Sequence, residues 1–175
     1  MKDKFILNDC NYIKSNNFDE RDNKVLIDTI ILHCISLPEG KYDNDNVIEF
    51  FTNKLDYNKH PSFDDLRDLK VSSHLFIRRS GEIIQFVPFN RRAWHAGKSH
   101  YKGRSNYNDF SIGIELEGSV KDSYTNEQYK KLKNCILLLK ELFPSIQDNN
   151  ILGHSDIAPG RKTDPGLNFS WERIL

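Results

Sequence analysis

The sequence predicts a single α/β domain with a central mixed β-sheet flanked by helices. Two nearly continuous β-branched runs, 25–34 (VLIDTIILHC) and 110–116 (FSIGIEL), read as strands buried on both faces. A segment opening at Thr125 carries a helical apolar stripe. The elements follow the order β-α-β-β-β-α-β, the pattern of a sheet covered by helices. At 175 residues the chain has the size of one domain. Folding at that length buries about 70% of the surface, so no disulfide staples are needed.

Residues 1–24 are polar and rich in Asn, an expected irregular lead-in to a domain spanning 25–175. After the first strand and the turn Leu37-Pro38-Glu39-Gly40, residues 45–55 place Val47, Ile48, Phe50, Phe51 and Leu55 on one helical face. A mixed-charge loop with Pro61 covers 56–70. Strands at 73–78 and 82–87 are joined by Ser80-Gly81, a hairpin signal. Residues 90–108 form a long loop, and loops of that length in compact domains tend to carry function. Thr125 and Gln128 make a capping box for a helix with Tyr129, Leu132, Ile136, Leu139 and Phe143 on one face, ended by Pro144. A short strand at 150–154 and a last turn at 170–175 complete the chain.

Charge and cysteine usage narrow the function. Lys plus Arg number 25 and Asp plus Glu 25, so net charge is zero, which argues against a nucleic-acid binder. Three cysteines without CxxC spacing argue against a disulfide framework and for a reducing compartment. The N-terminal apolar run is shorter than a signal-peptide core, and no run approaches the roughly 20 apolar residues of a membrane span. A cytoplasmic enzyme, with no membrane partner, is the expectation.

Several polar residues stand where apolar ones would be cheaper. His33 ends an apolar strand, and a buried imidazole costs free energy unless hydrogen-bonded or coordinated. His154 follows Ile151-Leu152, and Asp164 stands ten residues later in a Gly/Pro-punctuated loop. Two histidines and one carboxylate are a ligand set of catalytic zinc (Zn2+) sites, which keep one position open for water. Taken singly, a histidine at a strand end is more often a satisfied core group than a ligand, and His60, His74, His95 and His100 compete as ligands. Strand alternation puts Gly113, Glu115 and Glu117 on one face and Ile112, Ile114 and Leu116 on the other. Glu115 there suits a general base and acid, or else a salt-bridged strand carboxylate. Lys162 suits an oxyanion partner, or else a solvated loop lysine. Cys34, next to His33, would turn its thiol to the opposite side.

The segments ILHCISLPEG, VSSHLFIRRSGEIIQFVPFNRRAWHAGKSHYKGR, NDFSIGIELEGS and GHSDIAPGRKTDPG resemble, in the same order, the zinc N-acetylmuramoyl-L-alanine amidases. Within these they are most similar to the AmpD-type enzymes acting on 1,6-anhydro-muropeptides. The resemblance runs from about residue 25 to the end of the chain and implies a peptidoglycan-recognition-like fold. It makes His33, His154 and Asp164 the zinc ligands, Glu115 the proton acceptor and Lys162 the transition-state stabiliser. It places Trp94 on a sugar-facing wall, where a packed core Trp is the competing reading. Stem-peptide carboxylates would be met by Lys70, Arg104 and Asn106. At Lys70 and Asn106 close relatives are expected to carry arginine, so the bidentate fork is lost there. The implied partner is a small soluble anhydro-muropeptide taken up by a monomer, for peptidoglycan recycling. Two other roles fit the same fold: a non-catalytic peptidoglycan-binding module, and an endolysin-like amidase on polymeric wall.

Overall fold

The computed structural model describes residues 4–175. In chain order its elements are β1 (Asn11–Tyr12), β2 (Phe18–Glu20), β3 (Thr29–Ile35), α1 (Asn46–Phe51), β4 (Leu75–Ile77), β5 (Ile83–Gln85) and β6 (Arg91–Ala93). They continue with β7 (His100–Tyr101), β8 (Arg104–Ser105), β9 (Ser111–Glu117), α2 (Asn126–Leu142), β10 (Ile151–Gly153) and α3 (His154–Ile157), with single 3-10 turns between. A six-stranded sheet runs β1-β5-β4-β9-β3-β10. Only the β4–β5 hairpin is antiparallel, so the sheet is mixed, as expected.

The two β-branched runs lie side by side as β3 and β9 at the centre of the sheet, where both faces are covered. On one face Ile30, Leu32, Ile112, Ile114 and Leu116 pack beneath Tyr129, Leu132, Ile136 and Leu139 of α2. The capping box forms: Thr125 Oγ1 accepts from Gln128 N at 3.1 Å, and Gln128 Oε1 accepts from Thr125 N at 3.0 Å. The opposite face carries two separate clusters. One joins α1 through Val47, Phe50 and Phe51 to Phe76, Ile84 and Phe86. The other joins Ile31 to Ala96, Tyr107, Phe110 and Ile157.

Some expectations shift. The helix predicted over 45–55 stops at Phe51, because Asn53 adopts a left-handed conformation (φ 59) that ends helices. The loop 90–108 contains short pairings: β6 with β2, and β7 with β8. The lead-in is not irregular throughout. β1 adds a parallel edge to β5 and β2 pairs antiparallel with β6, through backbone bonds that polar composition conceals. Residues 1–3 of that lead-in lie outside the described residues. Among the described residues no helix is long and apolar enough to cross a membrane.

Candidate metal centre

His33 and Glu115 project from the sheet face that holds two clusters, and they are register partners across β3 and β9. Cys34 faces the other way and packs against the cluster under α2. His154 is not the last residue of a strand; it opens α3 directly after β10, where Asp156 Oδ2 accepts from Gly153 N at 2.7 Å. Asp164 reaches the same place from its loop, whose backbone is held by Ser155 N donating to Asp164 O at 3.0 Å.

These three residues converge. His33 Nδ1 lies 2.9 Å from His154 Nδ1 and 3.2 Å from Asp164 Oδ2, and His154 Nδ1 lies 3.1 Å from Asp164 Oδ2. Ligand atoms about 2.0–2.1 Å from a tetrahedral zinc would stand about 3.3 Å apart, so the triangle has the size of one face of such a shell. All three residues are buried, and together they could hold a metal ion. The competing histidines stay out of this triangle. His60 pairs with Ser62 and His100 with Ser105, both at the surface. His74 Nδ1 accepts from Gly113 N, while its Nε2 faces Arg91 O. His95 sits one step out, its Nδ1 2.9 Å from His33 Nε2.

Burial governs the electrostatics. It lowers His33 to about 4 against the opposing contact with Asp164. It would raise Asp164, but contacts with His154 and His33 outweigh it and hold that carboxyl well below its usual range. Glu115 is pushed well above the carboxylate range by burial first and the charge of Asp164 second, with Lys162 opposing. Its Oε2 is buried without a hydrogen-bond partner among the described residues. An orphaned carboxylate oxygen on this face awaits a donor, which a structural salt-bridge role would have supplied.

A cavity of about 410 Å³ opens over the triangle, lined by Glu115, Lys162, Trp94 and Arg161 as well as the three convergent residues. Lys70, Arg104 and Asn106 are not part of its lining. Lys70 is exposed between the lining residues Leu69 and Val71. Arg104 is engaged elsewhere, donating to Asp28 Oδ2 at 2.9 Å and lying 3.6 Å over the Phe110 ring. Asn106 takes a left-handed turn conformation (φ 60) before a 3-10 turn. Arg161 was not anticipated. It donates to the carbonyls of Ala96 (2.8 Å) and Lys98 (2.6 Å), partners that no local pattern announces.

Known proteins share both sequence and fold. The family model for N-acetylmuramoyl-L-alanine amidases matches residues 22–167. The 1,6-anhydro-N-acetylmuramyl-L-alanine amidase AmpD of Haemophilus influenzae is 45% identical over 173 residues, covering 99% of this chain and 94% of that protein. The crystal structure of a selenomethionine AmpD derivative superposes with a TM-score of 0.95 at 44% identity, covering 99% of this chain and 97% of that one. AmiD of E. coli was solved with the substrate anhydro-N-acetylmuramic acid-L-Ala-D-γ-Glu-L-Lys. It gives a TM-score of 0.61 at 26% identity, covering 91% of this chain and 65% of that one. With the fold, the family model over residues 22–167 and a relative 45% identical over 99% of this chain in agreement, this chain belongs to the N-acetylmuramoyl-L-alanine amidase family.

Proposed function

We propose that this chain hydrolyses the amide bond between 1,6-anhydro-N-acetylmuramic acid and L-alanine in soluble muropeptides, with zinc held by His33, His154 and Asp164. The observation that carries this reading is the buried triangle of His33 Nδ1, His154 Nδ1 and Asp164 Oδ2 beside a buried Glu115 whose Oε2 has no hydrogen-bond partner among the described residues. What zinc supplies when bound at such a site is Lewis acidity, toward a water and toward a carbonyl oxygen. The relatives' names supply the bond and the sugar.

Glu115 acts on the proton. Its ionised carboxylate takes a proton from the attacking water and, now neutral, returns it to the departing L-alanine nitrogen. A carboxyl raised well above its usual range is matched to both halves of that exchange, since each transfer is then closer to balanced. Lys162 lines the cavity, and its ammonium would share the negative charge that develops on the carbonyl oxygen as water adds. Trp94 gives the cavity an aromatic wall suited to the apolar face of a sugar ring. Lys70 lies beside the opening as a cation for the stem carboxylates, with Asn106 a neutral donor farther along the chain. The unpaired Cys10, Cys34 and Cys135 fit a reducing cytoplasm, where a monomer would act in peptidoglycan recycling.

Asp164 separates this reading from a binding module that has lost hydrolysis, because such a module has no need of a third buried anionic ligand. The test is incubation of zinc-loaded and chelator-stripped protein with soluble anhydro-muropeptide and with intact sacculi, followed by mass spectrometry. Release of free stem peptide from the soluble substrate, lost on chelation and restored by zinc, is the expected result. Cleavage confined to sacculi would transfer the activity to polymeric wall, and binding without product would reduce the chain to a recognition module.

A further inference from the structure

The two histidines of the triangle are each met, on the ring nitrogen away from it, by adjacent residues of one loop. His33 Nε2 faces His95 Nδ1 at 2.9 Å, and His154 Nε2 faces the carbonyl of Ala96 at 3.0 Å. We infer that the His95–Ala96 segment sets the tautomer of both histidine ligands, with His95 a positioning residue that delivers His33 Nδ1 to the metal unprotonated. The inference rests on the metal centre proposed above.

The proton inventory runs inward from a backbone carbonyl. Tyr107 O can only accept, and the Ser111 hydroxyl donates to it. With its one proton so placed, Ser111 Oγ accepts from His95 Nε2, 3.2 Å away. His95 is bonded through Nε2 to Ser111 and through Nδ1 to His33, with the His33 and His74 rings edge-on to it and no carboxylate bonded to it among the described residues, so it carries a single N–H, on Nε2. Its Nδ1 therefore accepts, and His33 Nε2 donates to it. That leaves His33 Nδ1 bare. At His154 the carbonyl of Ala96 forces the same result directly, since only Nε2–H can donate to it. Two bare nitrogens 2.9 Å apart and a carboxylate oxygen then meet with no proton between them, an arrangement that a cation relieves.

The loop is held from both sides. Asn108 Oδ1 accepts from His95 N at 3.1 Å and Ala96 N at 2.7 Å, and Arg161 donates to Ala96 O and Lys98 O. The His95 ring lies flush on β9 at Gly113, where a built Cβ would fall 2.4 Å from the ring. Glycine in the IGIEL strand is thus what admits the ring to its place.

The test measures Zn2+ affinity of the apo-protein by competition with a chromophoric chelator, for wild type, His95→Leu and His95→Asn. Asn Oδ1 can occupy the position of the imidazole Nδ1, whereas Leu offers no acceptor. His95→Leu should weaken zinc binding about 10- to 100-fold, with His95→Asn recovering most of the loss. Equal affinity of all three, or equal loss in Leu and Asn, overturns the inference. Nitrogen-15 NMR of wild-type apo-protein near neutral pH gives a readout that needs no variant to fold. His33 and His154 should both be Nε2–H tautomers, and a protonated His33 Nδ1 overturns the inference. Wild type that binds no zinc at all, with both histidines in the Nε2–H form, would instead remove the metal reading and leave the tautomer assignment standing.

Discussion

Glu115 lies directly across from His33 in the parallel register of β3 and β9, and the same pairing puts Phe76 on its other flank. Neighbouring strands stand about 4.8 Å apart, and register partners project to the same face. The proposed proton carrier and the first proposed metal ligand are therefore spaced by sheet hydrogen bonding, with no loop between them. A slip of one residue in either strand would send one of them into the apolar face beneath α2. This arrangement anchors His33 and Glu115 in the two central strands of the sheet.

Glu115→Gln should consequently separate chemistry from metal binding. The amide keeps shape and burial but can neither accept nor return a proton, so kcat should fall by about 10²- to 10⁴-fold. Zinc content after dialysis should stay at the wild-type level, because Glu115 is not part of the ligand triangle. The thermal midpoint of the apo-protein at neutral pH should hold or rise, since burial penalises the ionised carboxylate and not the amide. Normal turnover by this variant would remove Glu115 from the mechanism.

Lys162 makes a contrasting case. It is exposed, and its backbone N donates to Ala158 O, so the loop conformation does not depend on the ammonium. Lys162→Met should leave the stability read from the melt within about 0.5 kcal/mol of wild type. It should lower kcat by about 10²-fold with little change in KM, as expected for charge stabilisation made only in the transition state. An effect on KM alone would recast Lys162 as a substrate anchor.

What the sequence disclosed and what it concealed divide along a physical line. His33 and Glu115 were legible because each breaks an apolar strand pattern, where an uncompensated polar group is costly. The capping box of α2 was legible because both of its bonds lie within four residues. β1 and β2 were not, since they pair through backbone groups and carry ordinary polar side chains. His95 was visible only as one more candidate ligand. Its contacts with His33 and Ser111 bridge separate parts of the chain, which spacing does not encode. Arg161 was hidden for the same reason, and the engagement of Arg104 with Asp28 and Phe110 is equally nonlocal.

Arg104 and Lys70 should therefore respond differently. Arg104→Ala removes a half-exposed ion pair and a ring contact, and should cost about 1 kcal/mol of stability without raising KM. Lys70→Ala removes an exposed cation beside the cavity, and should raise KM about 3- to 5-fold for stem peptides with free carboxylates while leaving the melt unchanged. Paired melting curves and steady-state kinetics distinguish the two. A large KM effect at Arg104 would require the loop 90–108 to rearrange on binding.

Acid should destabilise the metal-free protein before it touches most carboxylates. Burial lowers His33 to about 4 and His74 to about 3, and holds His95 well below the ordinary value of 6.5. The unfolded chain regains ordinary histidines, so below about pH 6.5 it binds more protons than the folded chain and stability falls with pH. Glu115 works in the opposite direction. Its raised value lets the folded state take a proton first, which favours the fold as pH drops toward the ordinary 4.5. Three histidines against one carboxylate leave a net loss between about pH 6.5 and 4. Asp164 joins only in stronger acid, because its stabilisation is fully present above the ordinary value of 3.8 and is lost as pH falls below it. Melting curves of chelator-treated protein at intervals from pH 7.5 to 4 should show a steady decline in midpoint. A midpoint that stays level or climbs across that range would mean that Glu115 outweighs the three histidines or that they are charged in the fold, and the histidine-led decline would be overturned.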